Sequence, residues 1–460
     1  MQKKMLLVTV IFSLSANVSG QAIISTIAGT GVRGYSGDNA PAISAELDRP
    51  EGIVLNSQGD IYITDAYNNV IRRISATDNK ITTIAGNGTR GHTGDGGAAT
   101  SAELYFPQEI AFDSTSPEQV NLYIADGQNN VVRKVNLPTG IITTVAGNGY
   151  NAPFHGGYSG DGGPAINAEM DYPGTIAIDN THNLIIGDGF NCIIRKVDIS
   201  TGIISTIAGT PRVRSNGGDG GPAINAQIGL IGGICVDSKG NIYVSDFEHR
   251  VIRKIDIATG IIDRYAGMTD KIGYSGDGGI ATTARISNAG LIAVDSHDNL
   301  YLPDNSNNVI RRIDAVTGII TTIAGNMAYG YSGDGGPAIN ASMSHPSAVT
   351  FDKYGTLYIT DEENNVIRKV TGIGTAVSNT GNNVAIALFP NPTRGTINIR
   401  SGYNEKGTVT VCNMVGAAVY NGTLNDGSAS IDLSAQPDGL YLVRINTAGS
   451  TVVRKVELMH

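Results

Sequence analysis

The sequence predicts an all-β protein built from a four-stranded unit that recurs six times. An apolar run ending in a basic pair repeats along the chain every 57 to 62 residues, with its first arginine at Arg72, Arg133, Arg195, Arg253, Arg311 and Arg368. No segment sustains the apolar spacing of a helix. The chain has 60 glycines, no tryptophan and only 16% charged residues, a composition that suits tightly turned β structure.

The fourth copy illustrates the elements of the repeat. It contains four short strand-like segments separated by Gly-, Asn- or Asp-containing turns, at Gly233–Asp237, Asn241–Asp246, Val251–Asp256 and Ile261–Gly267. Such a pattern predicts an antiparallel meander. Meanders that recur along a chain and cannot bury their faces alone predict a β-propeller, with the nearly all-apolar first segment innermost.

The phase of the repeat predicts how the ring closes. A strand ending in Ala-Gly, Ile23–Gly29, precedes the other strands of the first copy, whereas the last copy ends at Val370 without such a strand. We therefore expect six blades over residues 21–372, with strand 23–29 completing the sixth blade. This arrangement leaves no open sheet edge at the seam.

The segment Gly59–Asp65 followed by Asn68–Arg72 resembles NHL-repeat propellers, and the pattern recurs six times over roughly residues 21–372. The resemblance implies a six-bladed propeller. Most NHL propellers are binding platforms, although six-bladed relatives include lyases, lactonases and other hydrolases, so the fold alone does not assign an activity.

The N-terminus predicts a signal peptide over residues 1–20. Lys3 and Lys4 precede the apolar stretch Met5–Leu14, and the small residues Ser15–Gly20 follow, with a cleavage point before Gln21. The apolar stretch is too short to span a bilayer, and no later segment looks transmembrane. The net charge of -9 argues against a nucleic-acid partner.

The chain has three cysteines, Cys192, Cys235 and Cys412, so at least one is unpaired. A bridge between Cys192 and Cys235 cannot be assigned from the sequence. We expect all three to be buried small hydrophobic residues.

Residues 373–385 form a Gly-, Thr-, Asn- and Ser-containing linker, and residues 386–460 predict a small β-sandwich. The latter segment is similar to the type A sorting domains of type IX secretion substrates in Bacteroidetes. The similarity lies in Phe389–Pro392, Val415-Gly416, Ile431–Ser434, Gly439–Val443 and Lys455. It implies a sorting signal that includes Pro390, Asn391, Pro392, Gly416, Gly439, Tyr441 and Lys455.

By this resemblance, the protein passes through the periplasm and is then secreted or displayed on the outer-membrane surface, with the type IX machinery as a partner and the domain usually removed. An ordinary sandwich for adhesion or glycan binding is the alternative.

Long connections between blades should cluster on one face of the propeller, around the mouth of its channel. Each contains a variant of Gly-Tyr-Ser-Gly-Asp-Gly-Gly, whose aspartate recurs as Asp38, Asp95, Asp161, Asp219, Asp277 and Asp334. We expect each aspartate to cap its own turn. The alternative, a ring that binds Ca²⁺ or a cationic partner, lacks the dense oxygen ligands of a calcium loop.

A second aspartate lies seven residues before each repeated arginine, at Asp65, Asp126, Asp188, Asp246, Asp304 and Asp361. We expect it to pair with the arginine across the hairpin and to serve the fold. Phosphate or glycan binding by the arginines is the alternative. The tyrosines of the long loops could pack beneath the loops or stack on a glycan or peptide.

Candidate site residues are those that break the repeat. Glu51, Gln108 and Glu109 stand at the start of the innermost strands, where channel-facing side chains are expected. The connectors between second and third strands differ at Phe190 and at Phe247, Glu248, His249 and Arg250. Tyr150 and His155 bound an insert in the third long loop. All of these are candidate ligand-binding residues.

The sequence favours a monomeric binding module that recognises a protein or glycan through its long-loop face. It offers no catalytic set and no cofactor, and its ligand spacing does not support Ca²⁺ or another divalent ion. The alternatives are a metal-dependent lyase or lactonase with its site near Glu51 and Glu109, and a scaffold in a surface assembly.

Overall fold

A computed structural model describes residues 22–116, 119–151, 155–373, 386–391, 393–401, 406–413, 418–447 and 451–459. Within these ranges the protein is all-β, as predicted: strands are joined by turns and single 3-10 turns, without an α-helix. The predicted signal peptide, Pro392 and Gly416 lie outside the described residues. The 3-10 turns are Ala42–Ser44, Ala66–Asn68, Ala99–Ser101, Gly127–Asn129, Ala165–Asn167, Ala223–Asn225, Ala281–Thr283, Asn305–Asn307, Ala338–Asn340 and Glu362–Asn364.

Residues 22–373 form six antiparallel sheets, which we number 1 to 6 along the chain. Strand β1 spans Ile23–Ala28. Sheet 1 holds β2 (Pro50–Leu55), β3 (Ile61–Asp65), β4 (Val70–Ile74) and β5 (Ile81–Ala85). Sheet 2 holds β6 (Pro107–Ser116), β7 (Gln119–Asp126), β8 (Val131–Asn136) and β9 (Ile141–Ala146). Sheet 3 holds β10 (Pro173–Ile178), β11 (Leu184–Asp188), β12 (Ile193–Asp198) and β13 (Ile203–Ala208).

The other three sheets follow the same order of strands. Sheet 4 holds the two-residue β14 (Gly221–Pro222) at its outer edge, then β15 (Ile231–Val236), β16 (Ile242–Asp246), β17 (Val251–Asp256) and β18 (Ile261–Ala266). Sheet 5 holds β19 (Ala293–Val294), β20 (Leu300–Asp304), β21 (Val309–Ile313) and β22 (Ile320–Ala324). Sheet 6 holds β23 (Pro346–Phe351), β24 (Leu357–Asp361), β25 (Val366–Thr371) and β1.

Residues 386–459 form two further antiparallel sheets. One contains β26 (Ile386–Phe389), β27 (Thr396–Ser401) and β30 (Ser428–Asp432); the other contains β28 (Gly407–Asn413), β29 (Ala418–Leu424), β31 (Gly439–Thr447) and β32 (Thr451–Leu458). Ile397, Ile431, Val409 and Val443 from the two sheets share one buried apolar cluster. Of the predicted sorting residues, Tyr441 is buried, and its hydroxyl donates to the carbonyl of Pro437 at 2.6 Å. Lys455 lies in β32, Gly439 begins β31, and Pro390 and Asn391 follow β26.

The core of residues 22–373 lies between consecutive sheets, because each sheet buries apolar side chains on both faces. Tyr123 and Val132 of sheet 2 pack with Ile176 and Ile186 of sheet 3 in one of these clusters. Equivalent clusters lie between sheets 1 and 2, 3 and 4, 4 and 5, and 5 and 6, and a further cluster joins sheet 6 to sheet 1. Burial of such aliphatic side chains is worth about 1.5–3 kcal/mol each, which makes these interfaces the main source of stability.

The first strand is joined to the last sheet. Strand β1 pairs antiparallel with β25, from Ile23 opposite Thr371 onwards. The backbone N–H of Thr26 also donates to the Asp334 carboxylate at 3.1 Å. This pairing covers the outer edge of β25, the arrangement expected of a closing strand.

Each repeated arginine lies beneath the long loop that precedes its sheet. The six guanidinium groups are 0–1% exposed, and each reaches the long-loop aspartate at 2.6–2.7 Å. Arg72 shows the rest of the pattern, since it also donates to the carbonyls of Glu46 and Ser36. In five copies the second oxygen of this aspartate accepts the N–H of an outer-strand threonine, as Asp38 does from Thr83.

The prediction that the long-loop aspartates cap their own turns is therefore wrong, because these carboxylates bind the buried arginines and the outer strand. The aspartates seven residues before the arginines are a secondary partner, at 3.6–3.8 Å in five copies. One oxygen of each instead accepts a backbone N–H that lies 17 residues upstream in five copies, as in Asp65 with Asp48, and 21 residues upstream for Asp126. We refer to the six pairs of buried arginine and long-loop aspartate as the arginine lattice.

The long-loop tyrosines also pack against this lattice. Arg72, Arg195, Arg311 and Arg368 lie 4.9–5.4 Å from the ring centres of Tyr35, Tyr158, Tyr274 and Tyr331. The hydroxyl of each ring meets a threonine of the outer strand, as Tyr274 meets Thr322 at 2.7 Å. These contacts support the prediction that the tyrosines pack beneath the long loops, and not the alternative that they stack on a glycan or peptide. Cys192 and Cys235 are buried as expected, whereas Cys412 is only partly buried, and all three are free thiols.

Candidate functional site

The residue before the first strand of each sheet stands at the mouth of the ring. In four copies this residue precedes a proline and has a positive φ of 49–57°, at Arg49, Phe106, Tyr172 and His345. Such a backbone is strained for a residue with a side chain and persists only where its surroundings hold it. Here its N–H donates to an asparagine side chain of the preceding sheet at 2.8–3.0 Å; the acceptors are Asn365, Asn69, Asn130 and Asn308.

These four contacts, which we call asparagine latches, are missing at two junctions. Cys192 and Arg250 replace the asparagine before sheets 4 and 5, and Ile231 and Ala289 replace the proline. The intervening Leu230 and Asn288 are not among the residues with positive φ. The mouth is therefore asymmetric: latched junctions surround sheets 6, 1, 2 and 3, and unlatched junctions lead into sheets 4 and 5.

A cavity of about 450 Å³ occupies this mouth. Its polar arc comes from sheets 6, 1 and 2 and contains Glu362, His345, Ser347, Glu51 and Gln108. Its mainly apolar arc comes from sheets 3, 4 and 5 and contains Tyr172, Phe190, Leu230, Ile231, Phe247 and Leu291, with Asn305 of sheet 5 as a polar member. We call it the central cavity. A ligand that fills it meets hydrogen-bonding groups on one side and aromatic or aliphatic surface on the other.

Glu51 is the most perturbed group of the polar arc. Its carboxylate accepts from the amide of Gln108 at 3.0 Å. Burial raises the pKa of Glu51 to about 8, and the neighbouring Glu362 carboxylate raises it further, while the Gln108 hydrogen bond opposes the shift. Near neutral pH Glu51 is thus mainly protonated, so it can donate a hydrogen bond as well as accept one. Burial also raises the pKa of Glu362, which lies 3.9 Å from Arg49.

Gln108 reaches the central cavity because the equivalent position of sheet 3 is a glycine. A side chain at Gly174 would collide with the Gln108 amide and with the Tyr172 ring. Tyr172 in turn stacks on Phe190, with ring centres 4.9 Å apart and planes inclined by 19°. The stacked pair forms the border between the polar and apolar arcs.

The structure does not bring Glu109 into the central cavity. Its carboxylate points between sheets 2 and 3, where it accepts from the Thr175 hydroxyl and, at 2.7 Å, from the Ile176 N–H. Burial raises the pKa of Glu109 to about 8 against these two hydrogen bonds. Glu109 therefore links the inner strands of sheets 2 and 3, whereas Glu51 lines the central cavity.

Of the fourth connector, only Phe247 lines the central cavity. His249 turns inward: its Nδ1 lies 2.9 Å from the Asp246 carboxylate, and its side chain is 13% exposed. Glu248 and Arg250 are half-buried, and Arg250 donates to the carbonyl of Glu248 at 2.7 Å. His249 thus occupies the place of the asparagine that pairs with this aspartate in other copies, such as Asn68 with Asp65.

Two further cavities border the central one. The first side cavity, of about 320 Å³, is lined by Tyr67, Asn69, Arg90, Tyr105, Phe106, Gln128 and Tyr172. The second side cavity, of about 650 Å³, is lined by residues that include Tyr150, His155, Tyr158, Glu169, Phe190, Arg212 and Arg214. The predicted residues Tyr150 and His155 are therefore brought to Phe190, but not to Glu51 or Phe247.

Sequence reasoning missed several residues of the central cavity, among them Tyr172, Leu230, His345 and Glu362. For Tyr172, Leu230 and His345 a signal was available, because the position equivalent to Tyr172 holds a different residue in every copy. No group of three or more His, Cys, Asp or Glu side chains in the described parts of the chain is arranged to hold a metal ion.

Comparison with protein families confirms both predicted resemblances. Residues 387–458 match the model of the secretion system C-terminal sorting domain, and residues 47–73 match the model of the NHL repeat. The C-terminal domain is a sorting signal for the type IX secretion system, so the protein is exported to the cell surface or secreted. Within the described ranges, no helix has the length and apolar character needed to cross a bilayer.

A curated relative, the chloroplastic protein SUPPRESSOR OF QUENCHING 1 from Arabidopsis thaliana, is 28% identical over 279 residues, covering 59% of this chain and 25% of that protein. The chain spans less than half the length of the curated relatives it matches first. A protein of unknown function from Bacteroides thetaiotaomicron has a similar fold, with a TM-score of 0.57, 17% identity and coverage of 76% of this chain and 75% of that one. An auxiliary nutrient binding protein from the same organism has a TM-score of 0.54, 15% identity and coverage of 76% of both chains.

Proposed function

The chain carries NHL-type repeats and a C-terminal sorting domain of a secretion system, and we propose from this premise that it is a surface-exposed binding propeller whose central cavity captures a glycan. In this proposal the six sheets are the blades of one closed six-bladed propeller. The two C-terminal sheets form a sandwich that serves export.

Two observations support the blade count. A buried apolar cluster lies at each of the six junctions, including the junction from sheet 6 back to sheet 1. Strand β1 supplies the fourth strand of sheet 6, which otherwise has three. A ring with matched junctions has no free edge to aggregate.

The central cavity carries the proposal for a ligand. Its volume of about 450 Å³ lies within the range of small-ligand sites, and its lining comes from the positions where the six copies differ. Residues that serve only the repeat would not need to differ at these positions.

A sugar fits the division of the wall better than a wholly apolar molecule does. The apolar faces of sugar rings stack on aromatic side chains, here Tyr172, Phe190 and Phe247, while the hydroxyl groups require donors and acceptors. Glu51, Gln108 and His345 supply these on the opposite side. That a fold neighbour is described as an auxiliary nutrient binding protein agrees with this proposal without identifying the ligand.

A glycan array followed by isothermal titration calorimetry tests the proposal. Phe247→Ala and Gln108→Ala should each weaken binding of an array hit by about tenfold, the size expected for a central contact. Tyr354→Ala is the matched control, because Tyr354 is 81% exposed on the short hairpin at the opposite end of sheet 6. The affinity of the Tyr354→Ala variant for the array hit should equal that of the wild type.

Other outcomes would replace this function. An array without hits, together with capture of one surface protein that Phe247→Ala abolishes, would indicate protein recognition. A stoichiometric divalent metal in purified protein, lost in the Glu51→Gln Glu109→Gln double variant, would instead favour the metal-dependent lyase or lactonase.

A further inference from the structure

Three cavities meet at the stacked Tyr172–Phe190 pair. Tyr172 lines both the central cavity and the first side cavity, and Phe190 lines both the central cavity and the second side cavity. The two rings stack with their centres 4.9 Å apart, so one aromatic pair contributes to the central cavity and to both side cavities. The binding surface is thereby extended from the channel mouth over the long-loop face of sheets 1 to 4.

Each side cavity adds an exposed arginine that lies over an aromatic ring, and the second side cavity also contains the carboxylates of Glu169 and Asp171. Arg90 lies over the Tyr105 ring at 5.4 Å from its centre, and Arg214 lies over the Phe190 ring at 5.7 Å. Both side chains are exposed, and neither forms an ion pair with a described acidic residue within 4.0 Å. In contrast, Arg33 and Arg49, which lie over Tyr67, are each paired with carboxylates.

The neighbouring Arg212 is held in the wall of the second side cavity by hydrogen bonds. Its Nε donates to the Asn191 side chain at 3.1 Å and its Nη2 to the Gly156 carbonyl at 3.2 Å. These bonds hold the segment that carries Arg214 against sheet 3. The Arg214 guanidinium is thereby placed beside Phe190, where it is also a hydrogen-bond partner of the Cys192 thiol, and Arg90 lies beside Tyr105.

We propose that the site is a multi-subsite glycan site, in which the central cavity takes one sugar unit and the two side cavities take further units of the same chain. This inference rests on the proposed glycan function and deepens it. Stacking on Tyr172 and Phe190 aligns the chain, and the guanidinium groups of Arg90 and Arg214 donate to hydroxyl or carboxylate oxygens of the outer units.

Calorimetry with size series tests this inference on the full-length protein. The probes are xylose, glucose and galacturonate with their β-1,4-xylo-, β-1,4-gluco- and α-1,4-galacturono-oligosaccharides of two to six units. In the series that binds, affinity should rise at least tenfold from one to three or more units and then level off. Arg90→Gln and Arg214→Gln should each lower the affinity for the longer oligosaccharides by about fivefold, the size of a solvent-exposed charged contact. Neither variant should change the affinity for the single sugar. Arg264→Gln is the matched control, because Arg264 is an exposed arginine on the outer strand of sheet 4.

The possible outcomes distinguish the multi-subsite inference from the glycan function on which it rests. Binding of a single sugar that does not strengthen with chain length would overturn the multi-subsite inference and leave the glycan function intact. A length-dependent gain that survives both arginine variants would also overturn it, because the added units would then lie elsewhere. Failure of every series to bind would overturn the glycan function together with the inference.

Discussion

The arginine lattice and the central cavity are built from the same repeat and differ in what the six copies share. In the lattice, every copy places a buried guanidinium on a long-loop aspartate within 2.6–2.7 Å. At the central cavity, which is lined by the entries to the first strands and by the connectors between second and third strands, each sheet contributes different side chains. Repetition therefore identifies groups that hold the fold, and variation identifies the surface on which a ligand can be recognised.

The lattice also makes that variation tolerable. Because each long loop is anchored from below by an arginine and from the side by the outer strand, the mouth residues do not have to supply the loop's stability. The unlatched junctions before sheets 4 and 5 illustrate this, since both keep their arginine–aspartate pair, Arg253–Asp219 and Arg311–Asp277. The apolar arc could thus diverge without loss of the fold.

The largest expected effect comes from breaking one lattice position. Arg133→Met would leave Asp126 buried without its cation and would free Asp95 from its contact at 2.7 Å. Removing one partner of a buried ion pair costs about 3–5 kcal/mol, which urea unfolding followed by circular dichroism would measure. Lys134→Met is the control, because Lys134 is the next residue in β8 but is only partly buried. Equal losses in both variants would contradict a structural role that is specific to the lattice.

A second prediction concerns the pH dependence of stability at the two carboxyl groups with raised pKa values, Glu109 and Glu51. The pKa of Glu109 is about 8 in the folded protein and about 4.5 when unfolded, so the folded state binds the proton more tightly. The stability that this provides is complete below about pH 4.5 and declines as pH rises towards 8, by about 1 kcal/mol per pH unit. Glu109→Gln should flatten the dependence of unfolding free energy on pH between 5 and 8.

Glu51→Gln provides the comparison for this experiment. The pKa of Glu51 is also about 8, so its variant should flatten the same pH range by a similar amount, although its side chain lines the central cavity and that of Glu109 lies between two sheets. A larger change for Glu51→Gln than for Glu109→Gln would show that the central cavity excludes water more completely than the junction between sheets 2 and 3.

A third prediction concerns the latches, which lie between the two regions. Asn130→Gly removes the acceptor of the Tyr172 N–H at 2.8 Å but keeps a residue that tolerates a φ of 57°. The unsatisfied N–H should cost about 1 kcal/mol of unfolding free energy. Arg250→Gly, at the equivalent position of an unlatched junction, should cost less. A loss at Arg250 as large as at Asn130 would argue that the latch itself contributes nothing.

The sequence predicted the all-β meanders and the pairing of the N-terminal strand with the last sheet, because both follow from repeat phase and turn residues. It placed Glu51, Gln108, Phe190 and Phe247 near the channel, where the structure finds them in one cavity. It identified only the more distant of the two carboxylates that pair with the arginines. The closer carboxylate lies 34 or 38 residues away across a long loop whose path a linear pattern does not encode.

The side-chain directions at the mouth were equally inaccessible. The sequence made His249 a candidate ligand-binding residue, but it fills the internal position that an asparagine occupies in other copies. The variability of the Tyr172 position is visible in the repeat alignment, but the direction of its side chain depends on a positive φ, which the identity of the residue does not reveal. Both cases depend on backbone conformation at single positions, which repeat alignment alone leaves undetermined.

The smallest expected effect tests whether the long-loop tyrosines belong to the lattice or to the binding surface. Tyr274→Phe removes a hydroxyl that donates to Asp277 at 2.8 Å and meets Thr322, but it keeps the ring beneath Arg311. Because Tyr274 is partly exposed, the loss should be only about 0.5–1 kcal/mol, seen as a small decrease in the urea midpoint. Tyr354→Phe, on the opposite end of sheet 6, should have no effect. If Tyr274→Phe instead left stability unchanged and weakened glycan binding, Tyr274 would belong to the ligand-binding surface. The long loops would then contribute to the binding site as well as to the arginine lattice.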